Sequence, residues 1–128
     1  MTIQKTKKND DFTFTKTWVI KPDIYYKQIK NRIRLIEKIS LLNLNSFPII
    51  KHKSKQNLVI QTMPFIIKQS WHRVDIKMII SKLNTLASDI DKMHKLGLIH
   101  GDIHPKNILF NGHKFILVDF EPYLHIID

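Results

Sequence analysis

Two stretches of this chain, Ile24 to Leu44 and Val74 to Leu96, carry apolar residues at helical spacing, and the segments around them read as short strands and turns. In the first stretch Ile29, Ile33, Ile36, Ile39 and Leu42 share a face. Pro22-Asp23 opens it, because proline is tolerated in a first turn and aspartate caps one. In the second, Ile76, Ile79, Ile80, Leu83, Leu86, Ile90 and Met93 make the face expected to be buried, and Gly97 stops the helix. Phe12 to Lys21 alternates large and polar residues as a strand does, with Asn9-Asp10-Asp11 as a turn and a short strand from Thr2 to Lys7 before it. Phe47 to His52 and Leu58 to Thr62 read as a hairpin around Ser54-Lys55-Gln56-Asn57, ended by Met63-Pro64. Asn111-Gly112, between Ile108–Phe110 and Phe115–Val118, is a strong hairpin signal. Strand, helix, hairpin, helix, loop, hairpin is the order of an α+β chain.

Composition removes several classes. At 128 residues and 43% hydrophobic, the chain is long enough for one domain with a core and too apolar to be disordered. It has no cysteine, which excludes a disulfide scaffold and suits a reducing cytoplasm. No apolar run approaches the ~18 residues of a membrane span, and the polar start, Met1 to Asp11, is unlike a secretory signal. The net charge is +10, but only Arg32, Arg34 and Arg73 are arginines. Lysines spread along the chain are a poor signature for specific nucleic-acid reading, which leans on the arginine fork, and they read as a solvated surface. Trp18 and Trp71 read as packing residues.

Chemistry concentrates in His100-Gly101-Asp102-Ile103-His104-Pro105-Lys106-Asn107, followed twelve residues later by Asp119-Phe120-Glu121 at the exit of the last hairpin. A tight turn between short strands can aim Asp102, Asn107 and Asp119 at one point. An amide oxygen with a carboxylate suits Mg²⁺, and a second carboxylate off the metal can accept a proton from an attacking hydroxyl. A histidine metal site is not expected. His100 and His104 are separated by Asp102, and Gly101 and Pro105 oppose a helix that would align the two rings.

His-x-Asp-x-x-x-x-Asn followed by Asp-Phe resembles the catalytic and metal-binding motifs of the protein-kinase-like superfamily. The resemblance implies a truncated kinase-like α+β fold in one domain, residues 1–128, with residues 1–62 as a small sheet and helix. Residues 63–128 would be a reduced second lobe of helix, catalytic loop and hairpin. It implies ATP and Mg²⁺ as cofactors, Asp102 as catalytic base, and Asn107 and Asp119 as metal ligands. Lys21, ending Val19-Ile20-Lys21, would hold the nucleotide phosphates. Glu37, on a helix row with Ile33 and Leu41, would be its partner, or else a rim residue beside Lys38. Gln61-Thr62-Met63-Pro64 would be the hinge under the adenine, with Gln61 and Met63 contributing to nucleotide binding. His100 would be structural.

Gly101 and His104 stand where common protein kinases have Arg and Lys. His-Gly-Asp-Ile-His-Pro-Lys-Asn and Asp-Phe-Glu look instead like the aminoglycoside and choline phosphotransferases, the lipopolysaccharide sugar kinases and other small atypical kinases. No glycine precedes Gly97, so the usual phosphate loop is missing. Only nine residues follow Asp119, too few for an activation segment and substrate platform. The expectation is a cytoplasmic phosphotransferase moving the γ-phosphate of ATP to a hydroxyl of a small molecule or protein. A partner chain or self-association would complete the cleft. The alternative is a catalytically weak or inactive kinase-like module that binds nucleotide or a partner.

Overall fold

The alternating pattern of the first twenty residues becomes an antiparallel hairpin, β1 (Thr2–Lys8) and β2 (Thr13–Ile20). The computed structural model describes residues 2–9, 11–20, 26–42 and 44–123. Lys21 and the Pro22-Asp23 helix start lie outside these residues. Helix α1 spans Tyr26–Ser40 and buries Ile29, Ile33, Ile36 and Ile39, the face its spacing predicts. It ends before the expected Leu44. The Ser40 hydroxyl donates back to Glu37 O (2.8 Å), the next turn tightens through Leu42 N–H to Ile39 O, and Leu42 is left 46% exposed.

Strands β3 (Lys51–Lys55) and β4 (Leu58–Pro64) complete a sheet of order β1-β2-β4-β3, antiparallel throughout. The first hairpin strand starts four residues later than the expected Phe47. Pro48 has no N–H for a ladder, the Ser46 N–H goes to Asp89 Oδ2 (3.1 Å), and Ser46 O accepts from Leu117 N–H (2.8 Å). Residues 46–50 therefore leave the sheet and bind the second half of the chain, with Phe47 and Ile50 buried.

Helix α2 spans Ile76–Lys95. Asp75 caps it by accepting from Lys77 N–H (2.8 Å), and Gly97 follows it at φ +93°, a left-handed conformation that suits glycine. Its buried face is Ile79, Leu86, Asp89 and Met93, narrower than expected, because Ile76, Ile80 and Leu83 are exposed. A 3-10 turn at Pro105–Asn107 leads into hairpin β5 (Ile108–Phe110) and β6 (Phe115–Leu117).

One buried cluster joins both helices to β4 and the last hairpin: Ile36 and Ile39 of α1, Met63 of β4, Leu86 and Met93 of α2, Phe110 of β5 and Leu117 of β6, with Leu98 and Phe120 beside them. A smaller one, Trp18, Ile20, Ile29, Ile33 and Val59, glues α1 to the sheet. Trp18 packs as expected, whereas Trp71 meets Phe115 edge-on and stays 46% exposed. Met93 is fully buried in the larger cluster, so Met93→Ala should cost about 2–5 kcal/mol through lost burial and a cavity. A urea midpoint shift is the measure, and an unchanged midpoint would place Met93 outside the core.

Candidate active site

The loop after α2 is organised by its own side chains. His100 lies between Val118 O, 2.7 Å from Nε2, and the Asp102 N–H, 3.1 Å from Nδ1. A carbonyl can only accept and an N–H can only donate, so the ring is neutral with its proton on Nε2. It also packs edge-on to Phe120, ring centres 4.7 Å apart. His104 caps the 3-10 turn, its Nδ1 accepting from Lys106 N–H (3.1 Å), and its Nε2 is 3.4 Å from Asp102 Oδ1.

Asn107 is buried and joins the two halves of the site. Its Nδ2 donates to Asp102 O (2.8 Å) and lies 3.2 Å from Asp102 Oδ2, while its carbonyl accepts from Val118 N–H (2.8 Å), the residue before Asp119. Asp102 and Asn107 are thus bonded to each other, and Asn107 is bonded to the residue before Asp119. With Nδ2 engaged in these bonds, the side-chain oxygen of Asn107 is the atom that could serve a cation. Asp119 adopts φ +66°, a left-handed conformation uncommon for a side-chain-bearing residue and concentrated at functional sites. Its Oδ1 is ion-paired with the Lys16 ammonium.

Lys16 belongs to a row of polar side chains across the sheet. Lys16 on β2 faces Gln61 on β4, and Gln61 faces His52 on β3. Lys16 reaches Asp119, and Gln61 Nε2 donates to Phe120 O (2.7 Å) and meets His52 Nε2 at 3.0 Å. His52 in turn meets Glu37 Oε1 through its N–H (2.7 Å) and Nδ1 (3.1 Å). Because Phe120 O can only accept, the Gln61 amide must turn its nitrogen toward it. His52 Nε2 then accepts and Nδ1–H donates to Glu37. Gln61 Oε1 is buried without a partner among the described residues.

The residues expected to bind nucleotide fare unequally. Lys21 lies outside the described residues, and Glu37 is engaged by His52. Gln61 and Met63, expected in the hinge, both sit inside β4 with buried side chains, Met63 in the main core. β4 runs to Pro64 because its register with β2 continues as far as the Thr13–Pro64 pair. Lys16, Arg32 and His52 were not singled out from the sequence. Lys16 does have a signal there, being a lysine in mid-strand on the same face as Trp18 and Ile20. A groove of about 600 Å³ lies elsewhere, along α2 beside Asn45, and contains none of these residues.

Burial holds His52 and His100 below the ordinary histidine range. The Glu37 carboxylate opposes the shift at His52, and the Val118 carbonyl and the Asp119 charge oppose it at His100. The unfolded chain therefore takes up protons first as pH falls. The stability these residues contribute is complete above about pH 6.5 and declines below it. Urea midpoints should fall between pH 7.5 and 5.5, with a shallower slope in His52→Gln. A flat wild-type profile would show that neither ring is held neutral.

Asp102, Asn107 and Asp119, with the His100 and Phe120 that support them, compose a protein-kinase-like sequence signature. Residues 66–126 match the family model described as the lipopolysaccharide kinase (Kdo/WaaP) family. No curated protein matches the chain. That match suggests a kinase, a transferase that uses ATP. Among the described residues no helix is long and apolar enough to cross a membrane.

Proposed function

We propose that this protein transfers the γ-phosphoryl group of ATP to a hydroxyl acceptor, with Asp102 as base, Asn107 and Asp119 as ligands of Mg²⁺, and Lys16 on the nucleotide phosphates. The observation that carries the reading is the bonded link Asp102–Asn107–Val118, which ties a half-exposed carboxylate to an amide and a second carboxylate. Asn107 and Asp119 offer hard oxygen donors suited to Mg²⁺, and the Lys16 ammonium already on Asp119 marks that carboxylate as a seat for positive charge. A bound Mg²⁺ would neutralise phosphate charge as it develops.

The chain's own residues supply the rest. Asp102 accepts the proton as the acceptor oxygen bonds to phosphorus and the bond to the ADP oxygen breaks. Asn107 holds Asp102 in place, and Lys16 moves from Asp119 to the phosphates when nucleotide enters. The loop residues Gly101 and His104 and the family relationship favour a small hydroxylated acceptor such as a sugar. A nucleotide-binding module with weak catalysis is the second reading. It is favoured by the β1–β2 connection, which has no glycine to bring backbone N–H groups against phosphates.

Thermal-shift titration with ATP, with and without Mg²⁺, tests the site. Ligand at 100 times its dissociation constant stabilises the fold by about 2.7 kcal/mol. A Mg²⁺-dependent rise should appear in the wild type and vanish in Asp119→Asn, chosen because asparagine tolerates the left-handed backbone at 119. No rise at millimolar ATP would overturn the nucleotide site.

A further inference from the structure

The position before the candidate base is Gly101, at φ +89°, a conformation L side chains rarely adopt. No side chain there can brace the loop from within. Beyond the bonds of His100 and Asn107, a brace comes from helix α1. Arg32 sends Nε–H to Glu121 O (2.8 Å), Nη1 to Ile99 O (2.7 Å) and Nη2 to His100 O (3.1 Å). One guanidinium therefore holds three backbone carbonyls. Two belong to the segment that ends at Asp102, and one lies two residues beyond Asp119.

We infer that Arg32 is a positioning residue that sets the spacing between the Asp102 loop and the Asp119 segment and makes that spacing depend on where α1 sits. The planar fork suits the task, because its donors point in fixed directions and one rigid group can hold two chain segments at once. Lysine offers the same charge as a point on a flexible stem and cannot reproduce three divergent bonds. Burial pushes Arg32 down to about 10, opposed by the Glu121 charge, so the group is still cationic at neutral pH.

The second route from α1 to the same segment runs through Glu37, His52 and Gln61 to Phe120 O, but it reaches only the Asp119 side. Of these two routes from α1, Arg32 is the one that reaches the Asp102 side, so its loss cuts that loop's tie to α1 while Phe120 remains tethered. The catalytic consequence rests on the phosphotransferase reading above; the mechanical one does not.

Hydrogen–deuterium exchange on the full chain without nucleotide tests the brace, comparing wild type with Arg32→Lys and Arg32→Met. Peptides covering residues 99–107 should exchange about tenfold faster in both variants, while peptides from β2 and β4 stay within about twofold of wild type. Unchanged exchange at 99–107 would overturn the inference. So would an equal rise in the sheet peptides, which would make Arg32 a general stability residue. If Arg32→Met does not fold, Arg32→Lys decides alone, since it keeps the charge and most of the stem. With Mg²⁺-ATP, Arg32→Lys should lower kcat about tenfold or more with KM for ATP within about threefold, the split expected when geometry rather than binding is lost. A KM rise with unchanged kcat would overturn the positioning role. If the wild type turns over no ATP, the phosphotransferase reading falls, while the exchange result still decides whether Arg32 braces the loop.

Discussion

Asp102→Asn is expected to lower ATP turnover about a thousandfold and leave the fold intact. Loss of a general base costs typically 10²–10⁴-fold, and asparagine cannot take the acceptor's proton. The fold should survive because the bond that organises the loop uses the Asp102 backbone carbonyl, which accepts from Asn107 Nδ2 at 2.8 Å in either variant. The Asp102 side chain is 51% exposed, so no buried charge is created or stranded by the change. Turnover and melting temperature measured on the same preparations separate the two effects. Turnover within threefold of wild type would remove Asp102 from the chemistry. A large drop in melting temperature would show that its carboxylate holds the loop.

Lys16→Met should weaken Mg²⁺-ATP binding about tenfold to a hundredfold, the range of 1.5–3 kcal/mol for a hydrogen bond to a charged group. Lys21→Met should change it less than about threefold. The Lys16 effect follows from register. Lys16 is paired across the sheet with Gln61 and its ammonium meets Asp119, so it stands within reach of whatever Asp119 binds. Isothermal titration of both variants distinguishes the two lysines. Equal losses, or a larger loss for Lys21→Met, would return the phosphate-binding role to the strand-end lysine.

The α1 face was readable in advance because Ile29, Ile33, Ile36 and Ile39 recur at one helical period, and α1 buries that stripe. The turns of the β3–β4 and β5–β6 hairpins were likewise legible, from the polar run before Leu58 and from Asn111-Gly112. Helix α2 was legible in extent but not in orientation. Its apolar residues cover more than one face, and which of them are buried depends on what packs there. Asp89 lies inside because it binds the Ser46 N–H, a demand set by a loop more than forty residues away. The Asp102–Asn107 bond and its link to Val118 lie within one short loop and hairpin, so the grouping of these polar residues was legible from local spacing.

The chain's order of elements, its helix stops and the grouping of its loop carboxylates and amide are local properties, set by side-chain period, capping and turn chemistry between near neighbours. Tertiary structure alone decided which lysine meets Asp119, what Glu37 pairs with, and that Arg32 reaches the loop. Lys16 and Asp119 are 103 residues apart, Arg32 and Glu121 are 89 apart, and Glu37 finds His52 only once α1 lies against β3. Lysine at 16 and lysine at 21 are equivalent as letters on a strand. Lys16 gains its partner when the pleat sends its side chain to one face and the register sets what that face meets.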